Sequence, residues 1–422
     1  MPQHKFTIII PTRERADTLY WCLKTCVAQD YENLEILVSD NFSQDNTREV
    51  VASFEDKRIR YINTGRRVEM SENWDFAMKH VTEGYVGFLG DDDGCTINSI
   101  SFINETLNKI PAKAIVWKEA SYGWANLTNQ YRDSFYVNAF DHCAEIKNAR
   151  RELKRFEKNK ISYKQLVSIY PNGFVLIDSI KKYLAKPGMF FRCTSPDLFS
   201  AILLANLVDF YVYINIPLSV SGSSAKSNAS ANKQVLQSFL EENKINSIHA
   251  SLGGEFFPSW SFLLADSNFH VNEFIGKIMQ KAFVKATVYQ VIESTIKEYV
   301  CFPADGYQKA AAKMRQLATL HSINTNKIEK LLLKYPNSAP ISDTNIFNSR
   351  QFIGWENNIL TLEASKIQIA HIYDACAFLS QLTEPRISRV RLIRYPWVNK
   401  ILLEASRLFR RFISNFCSRP LV

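Results

Sequence analysis

Along the first hundred residues, short apolar runs alternate with segments whose apolar positions recur every three or four residues. Lys5–Ile10 (KFTIII) predicts a short buried strand closed by Pro11. In Asp17–Val27, Leu19, Tyr20, Leu23 and Val27 fall at helical spacing. Asn33–Val38 predicts a second strand ending at Ser39-Asp40, Asp45 or Asn46 can cap a helix through Phe54, and Arg58–Ile62 is a third strand. Ser71 is a capping-box candidate for a further helix, although Trp74 stands where Glu would complete the box. Tyr85–Leu89 is a fourth apolar strand that runs directly into Gly90-Asp91-Asp92-Asp93-Gly94. This β-α-β-α-β-α-β order predicts an α/β domain with a mostly parallel sheet covered by helices. In such sheets ligands bind outside the carboxyl ends of the strands, so polar residues at those ends carry the functional reading.

The pattern then changes. Glu145–Lys164 holds eight basic and three acidic side chains and reads as an exposed helical insertion, over about 141–165. Apolar segments return at Phe190–Val220, with a helix at Asp197–Leu207 and a strand at Phe210–Ile216. Ser219–Asn232, rich in Ser, Ala and Asn, reads as a mobile loop or hinge. From Lys233 the periodicity is helical, at Val235–Asn243, Val271–Lys297, Gln308–His321, Asn326–Lys334 and Leu360–Leu379. The expected division is a catalytic domain over 1–232, a mainly helical region over 233–385, and a basic tail over 386–422.

Charge sharpens the role of that tail. Of 51 Lys+Arg and 42 Asp+Glu, nine basic residues and one acid fall within 386–422, so +8 of the net +9 sits there and +1 on everything before it. A body so near neutral does not predict a body-wide nucleic-acid surface. After Pro396 an apolar stripe (Trp397, Ile401, Leu402, Leu408, Phe409, Phe412, Ile413, Phe416) opposes a cationic face (Lys400, Arg407, Arg410, Arg411), the pattern of an interfacial anchor on an anionic membrane. Packing of the stripe on the preceding helices, or a coiled-coil or dimer contact that would make a homo-oligomer, stays open. No signal-peptide pattern and no run of 18 apolar residues occurs, and the eight cysteines are scattered without metal spacing. A cytoplasmic protein, peripheral to the inner face of the cell membrane, is expected.

Three carboxylates at the end of an apolar strand repel one another, and a divalent cation, Mg²⁺ or Mn²⁺, would resolve the conflict. A helix cap would need one Asp, not three. The turn Pro11-Thr12-Arg13-Glu14-Arg15 lacks the glycines of a dinucleotide site, and no phosphate-binding G-x-x-x-x-G-K-[ST] occurs.

The segments FTIIIPTRERADTL, NLEILVSDNFSQDNT, MSENWDFAMKHVTEGYVGFLGDDDG and TSPDLFSAIL, in that order over roughly residues 5–230, resemble the inverting family 2 glycosyltransferases of GT-A fold, of the bacterial surface-polysaccharide type. The resemblance implies that Pro11, Thr12, Arg13, Glu14, Asp40 and Asn41 hold the nucleotide, with Ser71 and Asn73 beneath it. It implies Asp91 on the ribose or sugar and Asp92 or Asp93 on the metal. The Ser-rich segment resembles a loop that closes over the diphosphate, where Ser223, Ser224 and Lys226 could contact phosphates. Asp197 looks like the general base, although Ser195-Pro196-Asp197 replaces the usual acidic pair; capping of its helix is compatible with that role, and Asp178 and Asp209 are weaker alternatives. The expected activity is metal-dependent sugar transfer from a nucleotide diphosphate sugar, of the UDP type, to a saccharide or lipid-linked acceptor in O-antigen, capsule or lipopolysaccharide synthesis. Rivals are a nucleotidyltransferase, which would want a Gly-rich basic turn after the first strand, and an inert membrane-bound scaffold with a relic sugar-nucleotide site.

Overall fold

The computed structural model of the chain describes residues 2–127, 129, 131–158, 160–184, 190–191, 195–227, 263–264, 266–271, 288–300, 304–338 and 353–392. Four strands, β1 (Phe6–Thr12), β2 (Leu34–Asp40), β3 (Ile59–Asn63) and β4 (Tyr85–Phe88), lie parallel in the order β3-β2-β1-β4. Their side chains alternate between two cores, as period-two apolar strands must when both faces are covered. Ile9, Leu37, Val86 and Phe88 face a core closed by α3 (Met70–Met78). Phe6, Ile8, Ile10, Ile36 and Val38 face a second core, closed by α1 (Ala16–Val27). The helix α2 (Thr47–Ala52) links β2 to β3, with its first N–H taken by Asp45 at 3.1 Å.

Pro11 does not close β1: the strand continues to Thr12, with Pro11 opposite Ser39 and Thr12 opposite Asp40. The ladder to β4 ends at Ile9–Phe88, so the N–H that Pro11 lacks is not needed by a neighbour. Ser71 likewise lies inside α3 rather than capping it.

Beyond β4 the sheet becomes mixed. It adds β5 (Gly94–Cys95), β6 (Ala114–Gly123), β7 (Ser134–Asn138), β8 (Cys143–Asn148), β9 (Gly173–Leu176) and β10 (Phe210–Ser223), with α4 (Ser99–Lys109), α5 (Ala149–Glu157), α6 (Lys181–Leu184) and α7 (Pro196–Leu207) between them. The β6–β10 pair is parallel, while β9 runs antiparallel to both β4 and β6. Helix α7 is buried almost all round (Leu198, Phe199, Ile202, Leu203), consistent with its unbroken apolar run. Three readings of the sequence need revision here. Residues 143–148 of the charged segment form β8 against β10. Ser219–Ser223 continues β10 as strand along β6, with β5 on the other edge at Ser219 and Val220. The expected helix over 360–379 is instead β12 (Ile359–Glu363), paired to β7, followed by a helix at Ile372–Thr383.

Helices Val288–Tyr299, Ala304–Leu320 and Thr325–Lys334 bury a core of their own around Val291, Ile292, Met314, Leu317 and Ile328. The chain then returns to the sheet as β11 (Gly354–Glu356), β12 and β13 (Arg389–Leu392), the last parallel to β8. The expected helix at 235–243 and the amphipathic tail after Pro396 lie outside the described residues. No described helix is long and apolar enough to cross a membrane.

Candidate active site

The carboxyl ends of β1, β2 and β4 converge on one set of polar side chains. Thr12 Oγ1 donates to Asp91 Oδ2 at 2.8 Å, and the Arg15 guanidinium donates to Asp91 Oδ1 at 2.9 Å. Burial raises the pKa of Asp91; Arg15 opposes that rise. Burial disfavours the Arg15 charge, but Asp91 and then Asp92 outweigh it and hold the guanidinium charged. Arg15 was not among the sequence-derived candidates; Arg13, half-buried, was.

Asp92 points toward the exit of β10. Its Oδ2 accepts from Ser224 Oγ (2.8 Å), Ser224 N (3.3 Å) and Ser227 Oγ. Among the described residues Oδ1 takes no hydrogen bond. A Cβ on Gly222 would meet Asp92 O at 1.8 Å, so only glycine lets β10 pass so closely. Asp93 is turned inward and is 0% exposed. Its Oδ2 accepts from Gly90 N (3.0 Å) and its Oδ1 from Gly222 N (2.7 Å). Burial, then the Asp92 charge, pushes Asp93 up to about 7.

These bonds test the metal expectation. Asp93 does not fit a ligand role, because both oxygens are taken by main-chain N–H groups and neither meets solvent. Asp92 fits through Oδ1, and a magnesium-type ion needs only one or two carboxylates when phosphates supply other oxygens. Among the described residues no cluster of three His, Cys, Asp or Glu side chains forms a protein-only metal cage.

Asp40 ends β2 with all its acceptor capacity in use: Ser43 N (3.0 Å) and Oγ (2.6 Å) donate to Oδ1, and Tyr61 OH (2.6 Å) and Asn63 Nδ2 (2.9 Å) to Oδ2. Glu14, at φ 56°, holds the opposite loop by accepting from Gln44 N (2.8 Å) and Asp45 N (3.2 Å). Asn41 brackets Val68 through both its amide atoms, and Asn73 accepts from Ser39 Oγ at 2.7 Å, beneath the end of β2. Ser71 is buried in the first turn of α3. Lys226 Nζ donates to Glu14 O at 2.8 Å and the Arg15 guanidinium to Lys226 O, so the chain leaving β10 is latched to the turn after β1. Pro11, Thr12, Glu14, Asp40, Asn41, Asp91, Asp92 and Lys226 thus form one connected rim, with Ser223 at the end of β10.

Asp197 is set apart from that rim. It sits in the first turn of α7, where Pro196 occupies the position that needs no N–H donor, and its carboxylate suits the positive helix end. Tyr163 OH donates to Oδ2 (2.8 Å) and Ser195 Oγ to Oδ1 (2.8 Å). Burial, then Asp197, raises the Tyr163 pKa and keeps its phenol protonated. Tyr170 feels Asp93, Asp92 and Asp197 together, and burial above all raises its pKa, so it stands electrostatically between the two acidic groups. Lys164, next to Tyr163 on the 3₁₀ turn Tyr163–Gln165, pairs with Glu119 of β6. Burial disfavours the ammonium, but the Glu119 carboxylate overrides it. Glu119, Tyr163, Lys164 and Tyr170 were missed by sequence reasoning. Lys164 was hidden in a run of charges read as solvated. Glu119 could have been found, as an acid inside the apolar strand AIVWKEASYG.

The strand ends of this α/β sheet thus carry a set of acidic groups, and residues 7–180 match the family model of Glycosyl transferase family 2. That segment, about two fifths of the chain, is similar to the domain this family shares. The chain is 32% identical over 108 residues to the GalNAc(5)-diNAcBac-PP-undecaprenol beta-1,3-glucosyltransferase of Campylobacter jejuni, covering 25% of this chain and 35% of that protein. It is 30% identical over 93 residues to the UDP-Glc:alpha-D-GlcNAc-diphosphoundecaprenol beta-1,3-glucosyltransferase WfgD of Escherichia coli, covering 22% and 37%. The match therefore spans little more than a third of the length of these relatives. The S. aureus TarS 1–349 structure in complex with UDP-GlcNAc is similar at TM-score 0.43 and 13% identity, covering 78% of this chain and 89% of that one.

Proposed function

We propose that the protein is an inverting glycosyltransferase that moves a sugar from a nucleotide diphosphate sugar, of the UDP type, to a saccharide carried on a lipid diphosphate, in surface polysaccharide assembly. One observation carries the reading: within the family 2 domain, Asp91 and Asp92 stand beside a charged Arg15 at the parallel strand ends, while a separately held carboxylate, Asp197, opens α7. Both relatives are named as glucosyltransferases for diphosphoundecaprenol-linked saccharides, and one name specifies UDP-Glc.

In this mechanism an acceptor hydroxyl attacks the anomeric carbon from the face opposite the diphosphate. The bond between that carbon and the diphosphate oxygen breaks with inversion, and the acceptor proton passes to Asp197. Tyr163 and Ser195 fix the carboxylate for this, and one of its oxygens turns from them to the incoming hydroxyl. Arg15 and Lys226 contribute positive charge near the leaving diphosphate. Asp92 Oδ1 would hold a divalent ion, which when bound offsets charge on that diphosphate. The nucleoside lies against Thr12, Arg13 and Asp40, where Tyr61 or Asn63 gives way if the base is to donate to Asp40. The basic tail addresses an anionic membrane surface at about 1 kcal/mol per Lys or Arg. Truncation after Ile393 spares β13, so it should release the protein from phosphatidylglycerol vesicles without unfolding it; full retention would remove the tail from the scheme.

The central test is a thermal-shift and UDP-release panel of UDP-sugars, with and without Mn²⁺. A cognate donor raises Tm in proportion to its occupancy, and Asp197→Asn keeps that shift while losing UDP release. If no nucleotide sugar shifts Tm or releases its nucleotide, the reading fails.

A further inference from the structure

The electrostatic neighbourhood of Asp197 contains a carboxylate that the mechanism above leaves idle. Glu119 lies on β6 opposite Ser219 of β10, with its side chain 12% exposed. Its Oε1 receives the Lys164 ammonium, while Oε2 is wholly buried and has no hydrogen-bond partner among the described residues. An ionised oxygen buried without a donor is costly, far more so than one left in water.

The surroundings say what kind of donor is missing. The Glu119 charge is felt by Asp93, Tyr163 and Lys164, so it shares the space between the strand-end acids and Asp197. Lys164, the ammonium beside it, is committed to Oε1 of Glu119 itself. Tyr163 is spent on Asp197. Lys164 is itself fixed, because Asn172 Nδ2 donates to Lys164 O (2.9 Å) and to Trp117 O (2.6 Å), tying the 3₁₀ turn to β6. The pair is thus held rigidly, with one acceptor unspent. A neutral polyol suits it better than an anion, which Glu119, Asp93 and Asp197 would repel, and carboxylates accept hydrogen bonds readily from sugar hydroxyls.

We propose that Glu119, clamped by Lys164, is a sugar-binding carboxylate whose Oε2 accepts a hydrogen bond from a ring hydroxyl of the bound saccharide. This rests on the glycosyltransferase reading above. The hydroxyl belongs either to the donor sugar or to the acceptor sugar, and two arms separate these sources.

In the first, UDP and UDP-glucose are titrated calorimetrically into the wild type, Glu119→Ala, and the double variant Glu119→Gln/Lys164→Met, which removes both charges together and leaves neither unpaired. A donor-side hydroxyl gives an affinity loss of about ten-fold or more for UDP-glucose in both variants, with UDP unchanged. In the second arm, initial rates are measured against an undecaprenyl-diphosphate-linked saccharide. An acceptor-side hydroxyl leaves UDP-glucose binding intact and raises the acceptor KM by a similar factor. Unchanged constants in both arms overturn the proposal, as does an equal loss for UDP and UDP-glucose, which would mark Glu119 as structural only. If the wild type binds neither UDP nor UDP-glucose, the parent reading fails and takes this inference with it; a wild type that binds UDP while the variants behave as it does sinks the inference alone.

Discussion

The two acidic groups of the site are built in opposite ways. Asp91 and Asp93 carry a donor on each oxygen from the turns around them, the first from Thr12 and Arg15, the second from the N–H groups of Gly90 and Gly222. Asp197, Glu119 and Lys164 come from an α-helix, a strand and a 3₁₀ turn far apart in sequence, and keep an unspent oxygen at Glu119. The first group is a rigid frame, suited to a ligand part that is always the same, such as a nucleoside diphosphate. The second has hydrogen-bonding capacity left over, which is where selection among sugars can occur.

The sharpest way to break this comparison is Asp197→Asn. An amide cannot take the acceptor proton, so turnover should fall by about a hundred- to ten-thousand-fold. UDP-sugar binding should be unchanged, because the frame group is untouched; equal loss of binding would erase the distinction between the two groups. Next in size is Arg15→Met. It leaves Asp91 buried beside Thr12 alone, and removing one partner of a buried pair costs about 3 kcal/mol. Urea denaturation should show that loss, together with weakened UDP binding. A variant as stable as the wild type would mean that Arg15 is not the partner on which the frame depends.

The same contrast explains what was legible in the sequence. The frame group sits on β1, β2 and β4, whose apolar runs and helical spacings are local signals, so Thr12, Asp40 and Asp91 to Asp93 could be placed at strand ends. The second group depends on non-local pairing. Nothing near Glu119 announces that β6 pairs with β10 nearly a hundred residues later, and nothing near Lys164 separates it from the solvated charges around it. The strand at Ile359–Glu363 was hidden for the same reason: its partner, β7, lies over two hundred residues earlier. Local capping chemistry was legible at Asp45 and misleading at Ser71, whose helix begins one residue earlier.

Tyr163→Phe probes the second group more gently. It deletes one donor to Asp197 and little volume, so kcat should fall about five- to ten-fold. Donor affinity should stay the same, as read by calorimetry beside steady-state rates. A change in donor affinity with kcat intact would instead join Tyr163 to the frame.

The smallest effect concerns Asp93, and its sign can be worked out. Burial, then Asp92, pushes its pKa up to about 7, above the unfolded value of about 4. A group raised in this way favours folding fully below about pH 4, and that contribution is lost as pH rises through about 7. In the Asp93→Asn variant the side-chain amide cannot titrate, and its single carbonyl replaces only one of the two acceptors used by Gly90 and Gly222. The variant therefore carries a constant deficit from the lost hydrogen bond, on which a pH-dependent term is superimposed. The gap in Tm between wild type and variant should be widest near pH 4, narrow steadily to pH 7, and stay level above it. A gap that is flat across the whole range would mean that Asp93 titrates in the fold as it does in the unfolded chain. The inward acid would then be as well served by its two N–H donors as Asp92 is by Ser224 and Ser227, and the frame would hold no strained member.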